Sequence, residues 1–238
     1  MTPPTARTDL PLATPPVPPL EDGQRLGRQE FESRYFAMPE TTRAELIEGV
    51  VYMPSPVSFG GHGEQHFALA TWLGVYMAST PGVRGGDNST VRLDDDNEPQ
   101  PDLCLLIDPA RGGNARIDAD DYISGAPELL VEIARTSVQR DLGPRLTAYQ
   151  RNGDREYLVW RVEDREIDWF ALRDGQFVKL GADEHGVLRS EVFPGLWLDT
   201  AAALAGDVAR VLAVLQQGLT TPAHAAFVAR LQRAAASQ

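Results

Sequence analysis

Two carboxylates sit where the sequence otherwise places apolar side chains. Asp102 follows Pro101 at the mouth of the run Leu103-Cys-Leu-Leu-Ile107, and Glu132 lies inside Leu129-Leu-Val-Glu-Ile133. Continuous apolar runs of this kind mark strands buried on both faces. A buried carboxylate left alone costs several kcal/mol, so such groups are paired or hold a cation. Neighbouring strands would bring the two within a few ångströms of each other. Their hard oxygens suit Mg2+ or Mn2+, ions that keep several waters and bind through one or two carboxylates. An ion held there could polarise a phosphoryl oxygen and lower the pKa of a bound water, which is the chemistry of phosphodiester hydrolysis. Residue types alone are also compatible with a loop cap or a strand-end salt bridge.

The remaining candidates are weaker. His62 and His66 are four apart at the start of a helical stretch, a spacing able to chelate a transition metal, yet no cysteine or third histidine completes the set. His62 reads as a loop residue beside the cleft and His66 as a residue on a helix face. Gly60-Gly-His-Gly63 lacks the lysine of a phosphate-binding loop. Asp94-Asp-Asp96 lacks the rest of a calcium loop and reads as a solvated turn. The single cysteine, Cys104, excludes an intramolecular disulfide and a cysteine cluster for zinc. Trp160, Trp169 and Trp197 stand in apolar strand contexts and read as core. The formal net charge of −12 argues against a chain that embraces nucleic acid with a broad basic face. Binding would need a local basic patch, or metal ions held by carboxylates.

Positioning these groups falls to a chain of α/β pattern. Residues 1–24 read as a disordered proline-rich tail, with seven prolines in the first twenty positions, and 25–238 as one domain. A weak helical pattern spans Glu21 to Met38, with Leu26, Phe31 and Phe36 as candidate core positions. Residues 43–53 give two short strands about Glu48-Gly49. Phe67, Leu69, Ala70, Leu73, Tyr76 and Met77 predict a helix that Thr80-Pro-Gly82 stops. Val83 to Leu93 reads as extended chain and about 108–121 as a loop. Ser137 to about Asn152 reads as one helix, with Pro144 near its first turn. Glu156–Val162 predicts a strand, and Ile167–Leu172 with Gln176–Leu180 a hairpin about Asp174-Gly175. Helices close the chain over 201–217 and 222–236. Strands buried on both faces alternating with helices imply a mixed sheet flanked by helices, with an added C-terminal hairpin and helices. The N-terminus has no basic stretch followed by an apolar one, and no run approaches bilayer length, so the expectation is a cytoplasmic protein without a membrane span.

Several motifs occur in order over about 30–235. They are Glu45-Leu-Ile-Glu-Gly49, Pro54-Ser-Pro56 with a histidine after it, Thr80-Pro-Gly-Val83, Asn97-Glu-Pro-Gln-Pro-Asp102 and Gly125-Ala-Pro-Glu-Leu129. Glu132, Asp141, Tyr149, Glu156-Tyr-Leu-Val-Trp160 and Phe193-Pro-Gly-Leu196 follow. In these the chain resembles the Uma family of putative restriction endonucleases, within the PD-(D/E)xK nuclease superfamily. The resemblance implies a restriction-endonuclease-like fold, a homodimer, and metal-dependent cleavage of nucleic acid, DNA before RNA. It implies Glu45, Asp102, Glu132 and Arg145 as the catalytic set, with Asp102 and Glu132 holding Mg2+ or Mn2+. Glu45 would be a third ligand, an orienting carboxylate, or a partner for Arg43 or another arginine.

One position departs from the pattern. The superfamily places a lysine two residues after the motif glutamate, and that position is Ala134. The family carries a lysine on the following helix instead, and the matching residue is Arg145. Lysine can deprotonate a water if its pKa is depressed, whereas arginine stays protonated and can only orient groups or stabilise charge, here that of a pentavalent phosphate. The alternative is a non-catalytic binding or scaffold protein on the same fold.

Overall fold

The computed structural model describes residues 17–53 and 56–236. Most of the expected N-terminal tail, residues 1–16, lies outside them, as do Pro54 and Ser55 of the Pro-Ser-Pro motif. Within the described part, Leu20 is buried and the Gly23 N–H donates to the Val51 carbonyl at 2.8 Å.

The frame is one six-stranded sheet. Its strands are β3 (Val83–Asp87), β4 (Leu103–Ile107), β5 (Leu129–Ala134), β6 (Glu156–Arg161), β7 (Glu166–Arg173) and β8 (Gln176–Lys179), and they lie side by side in that order. β5 and β6 run parallel and every other pair is antiparallel, so the sheet is mixed. Every residue of β4 and β5 is buried, as their continuous apolar runs predict. A separate hairpin, β1 (Glu45–Ile47) with β2 (Val50–Tyr52), turns at Glu48-Gly49, both at positive φ (51° and 70°). That is the backbone a two-residue hairpin favours, and Asp174-Gly175 repeats it between β7 and β8.

The two sheet faces bury against different helices. Helix α2 (Glu64–Ser79) places Leu69, Trp72, Leu73 and Tyr76 against Leu103, Leu105, Leu129, Val131 and Trp169. It follows α1 (Arg28–Tyr35), which packs Phe31 beside the β1–β2 hairpin. On the other face, Tyr149 of α3 (Leu146–Asn152) packs with Cys104, Leu130, Ala134 and Tyr157. Glu132 alternates with Leu130 and Ala134, so its side chain points to the α3 face. Helices α4 (Val208–Leu219) and α5 (Pro222–Ala236) extend the α2 layer. His224 of α5 lies 3.0 Å from Thr80 Oγ1 at the end of α2. No helix among the described residues is long and apolar enough to cross a membrane.

Three expectations change. The helix expected over 137–152 is broken: Val138–Arg140, a wide turn at Asp141–Arg145 and then α3, with Gly143 at φ −114°, ψ −106° between them. The extended reach from Val83 ends at Asp87, and Val91–Arg92 joins a small sheet with 116–117 and 123–124. Phe36, expected in the core, is 55% exposed and stacks on Tyr122.

Trp72 pins α2 to the sheet, and α2 in turn carries His66, with the turn that holds His62 running into its start. Its indole N–H donates to the Trp197 carbonyl at 2.9 Å and its ring meets Trp169 edge-on at 5.8 Å. Trp72→Phe therefore lowers stability by about 1–3 kcal/mol through the lost hydrogen bond. Trp72→Ala lowers it by about 3–5 kcal/mol through the cavity. Urea unfolding followed by circular dichroism reads both losses, and an unchanged midpoint for either would detach α2 from this anchor.

Candidate active site

Strand register brings the two carboxylates together. Leu103 of β4 is opposite Val131 of β5, so one step along the antiparallel ladder sets Asp102 across from Glu132. Residues directly opposite in such a pair share a face. Asp102 also acts as a cap: its Oδ2 accepts the Ile133 N–H at 2.6 Å, where the ladder would otherwise use a carbonyl. Its Oδ1 lies 2.9 Å from His62 Nε2. That hydrogen bond holds the His62 pKa above its ordinary value, against the opposing pull of burial. His66 Nε2 lies 3.2 Å from the Asp102 carbonyl oxygen and 3.2 Å from Asp87 Oδ1, and the two imidazoles stack at 5.6 Å.

Local sequence explains how the histidines reach Asp102. Phe59–Gly63 forms a wide turn that runs straight into α2. A Cβ on Gly61 would stand 2.5 Å from Ser58 Oγ and 2.6 Å from Arg135 Cδ, so a larger residue there would have to displace those two side chains. Arg135 follows β5 directly, and its guanidinium reaches Ser58 Oγ at 3.2 Å and Glu163 Oε1 at 3.2 Å.

The second part of the site is buried and built around Arg145, which is 1% exposed. Arg145 Nη2 donates to Glu45 Oε1 at 2.5 Å, Nη1 pairs with Glu132 Oε1, and Nε lies 3.4 Å from Asp141 Oδ1. Tyr149 OH donates to Glu132 Oε1 at 3.2 Å, the Gln100 N–H donates to Glu45 Oε2 at 3.2 Å, and Ser137 Oγ donates to Asp141 Oδ2 at 2.5 Å. Of the roles open to Glu45, the partner of an arginine is the one realised, with Arg145 and, at 3.7 Å, Arg140. Three carboxylates thus surround one guanidinium. Burial pushes the Glu132 carboxyl well above the usual range, Arg145 pulls it back, and Asp102, Asp141 and Glu45 push it up again.

This surplus of negative charge bears on the metal. Among the described residues, no three His, Cys, Asp or Glu side chains form a metal-ligand group. The contacts described for Glu132 both fall on Oε1, and Asp102 and Glu132 share one face at the cleft. Two hard carboxylates with no third ligand fit an ion that keeps most of its water, such as Mg2+, and not one that needs a closed cage such as structural zinc.

The cleft holding these groups measures about 1470 Å3. Its wall includes Arg43, Arg135 and Arg140 beside Arg145, and the carboxylates in it, Glu45, Asp102 and Glu132, are all wholly or largely buried. The chain has a single lysine, Lys179, which pairs with Asp168 on strands β8 and β7, away from β4 and β5. All four residues expected from the sequence, Glu45, Asp102, Glu132 and Arg145, line this one cleft. The parts the sequence did not assign are the His62–Asp102 contact, the Asp141 and Tyr149 supports, and the Arg135 and Arg140 walls. The four-residue spacing of the histidines was the one local signal for any of them.

The model of the Uma2 family, described as "Putative restriction endonuclease", matches residues 28–201. A solved structure from Anabaena variabilis ATCC 29413, described as a putative nuclease belonging to DUF820, superposes with a TM-score of 0.56 at 14% identity. It covers 73% of this chain and 97% of its own. Among curated proteins, none is significantly similar to this chain. The fold is restriction-endonuclease-like, as the resemblance implied.

The buried network makes a stability prediction. Arg145→Ala leaves Glu45, Glu132 and Asp141 without their shared cation and lowers stability by about 3–5 kcal/mol. Arg145→Lys keeps the charge and loses the planar fork, so it falls between Ala and the parent. Chemical unfolding reads the order, and an Arg145→Ala protein as stable as the parent would show the three carboxylates to be satisfied without it.

Proposed function

This chain belongs to the Uma2 family of putative restriction endonucleases, and from that premise we propose that it is a metal-dependent endonuclease acting on DNA. The observation that carries the reading is the Asp102–Glu132 pair, set across adjacent strands in a cleft whose most exposed charges are arginines. Asp102 and Glu132 would hold Mg2+ or Mn2+. Such an ion, when bound, polarises a phosphoryl oxygen and acidifies its water.

The chain's own groups supply position and counter-charge. The Ile133 N–H fixes one oxygen of Asp102, and His62 faces the other. Tyr149 and Arg145 fix the rotamer of Glu132 through Oε1. Arg145 is buried and its two Nη atoms meet Glu45 and Glu132, so it is a positioning residue that acts through those two carboxylates. Arg140 and Arg135, nearer solvent, are placed to meet phosphate oxygens with their planar forks. Dimerisation, implied by the resemblance, belongs to the same proposal, and sedimentation tests it. A second reading, a non-catalytic DNA-binding protein, draws on the absence of lysine from the cleft.

Cleavage of supercoiled plasmid and of single- and double-stranded oligonucleotides with Mg2+ or Mn2+ separates the two. The nuclease reading expects cutting that Asp102→Ala and Glu132→Gln abolish. It also expects either ion to raise the melting temperature of the parent by mass action, with little response from Glu132→Gln. DNA binding with no cutting under either metal, and no metal-dependent stabilisation, would leave the binding reading in its place.

A further inference from the structure

The most exposed large apolar side chains fall in one segment of the chain. Val57, Phe59 and Phe67 are 69%, 80% and 75% exposed, the three highest values among the large hydrophobic residues described. All three lie within the segment that forms the cleft rim: Val57, Ser58, Gly61, His62, Gly63 and His66 line the cleft, and Phe59 and Phe67 are interleaved with them. Phe59 opens the wide turn that delivers His62, and Phe67 follows His66 in the first turn of α2. Neither ring figures in an aromatic pair, whereas Phe36, also exposed, stacks on Tyr122.

The charges beside these rings say what would cover them. Arg43 and Arg135 are exposed and Arg140 half-buried on the same cleft wall, while its carboxylates are turned inward to Arg145, to the Ile133 N–H or to His62. In a chain with a formal net charge of −12, this wall carries arginines, and Arg135 donates at 3.2 Å to the Oγ of Ser58, the residue next to Phe59. A polyanion with flat apolar faces complements both features. In a duplex, bases hide those faces against each other; in a single strand the faces are open, and aromatic side chains stack on them with little regard to sequence.

Resting on the nuclease reading above, we infer that Phe59 and Phe67 are stacking platforms for unpaired bases. The cleft thus takes single-stranded DNA, or a single-stranded stretch of a longer molecule, with the backbone tracked by Arg135 and Arg140. Val57 adds apolar area to the same rim.

Fluorescence anisotropy with the full chain in EDTA, where metal-dependent cutting is off, tests this. Three labelled probes are used: oligothymidylate, an abasic oligonucleotide of equal length, and a duplex. The parent binds oligothymidylate more tightly than the abasic strand. Phe59→Ala and Phe67→Ala each weaken oligothymidylate binding about 5- to 100-fold, leave abasic and duplex binding unchanged, and are rescued by Trp at the same position. Arg135→Ala weakens all three probes, because it acts on phosphate. Retained oligothymidylate affinity in both Ala variants, with Arg135→Ala still defective, would overturn the stacking proposal and leave the nuclease reading standing. Loss confined to the duplex would make the rings wedges between paired bases and overturn it also. Ala variants that change only sedimentation would make the rim a contact between two copies of this chain, again against the proposal. Failure of the parent to bind any probe in EDTA, together with failure to bind or cut any with Mg2+ or Mn2+, would remove the nucleic-acid reading and this one together.

Discussion

One guanidinium joins the pieces of this site. Arg145 reaches Glu45 on the β1–β2 hairpin, Glu132 at the centre of the sheet and Asp141 at the head of its own turn. Each carboxylate alone would be an expensive buried charge, and a guanidinium without them would be costlier still. The three elements therefore lock together or not at all. Two consequences follow in the geometry. The helix between β5 and β6 departs from regular form over Asp141–Arg145, with the non-helical Gly143 next to Pro144, in the turn that carries Arg145 inward. Tyr149, one turn further on, then lies where its hydroxyl can bond the same Glu132 oxygen. Specificity of arrangement, more than net stability, is what such a buried ionic cluster gives.

The same cluster reorganises charge at the cleft. Glu45 and Glu132 spend much of their field on Arg145, Asp102 is held by a backbone N–H, and the exposed charges left at the opening are arginines. A chain that is acidic overall can in this way present a locally cationic wall. The carboxylates inside gather about Arg145, with Arg140 also 3.7 Å from Glu45. Burial keeps Glu132 hard to ionise, Arg145 opposes it, and Asp102, Asp141 and Glu45 add to it. The inner part of the cleft thus gathers carboxylates and the outer part arginines.

Much of this was legible in the sequence, for identifiable reasons. β4 and β5 were readable because burial on both faces writes an unbroken apolar run, and both hairpins because Glu48-Gly49 and Asp174-Gly175 carry the positive φ their turns need. Asp102 and Glu132 stood out as carboxylates in apolar company, and the ladder register placed them opposite one another. The interior of the site was less legible because its partners are remote. Arg145 and Glu45 are separated by 100 residues, and His62 and Asp102 by 40. No local pattern encodes those distances. The broken helix was missed because Leu142, Leu146 and Tyr149 keep helical spacing, although Pro144 disfavours a helical conformation for Gly143 before it. Phe36 was read as core by its type, whereas its place beside Tyr122 is set by tertiary packing.

Arginine at position 145 gives this cluster more than a positive charge. A lysine there could bond one carboxylate well and two poorly, since its charge is a single point on a flexible stem. The planar guanidinium bonds Glu45 and Glu132 from two different nitrogens while a third faces Asp141. Arginine therefore gives a more rigid inner wall and removes the residue from any exchange with solvent protons. His62 and His66 line the same cleft. Their segment is also the one that exposes Phe59 and Phe67. The turn at Phe59–Gly63 thus joins the His62–Asp102 contact to the outer rim, with Gly61 packed against Ser58 and Arg135.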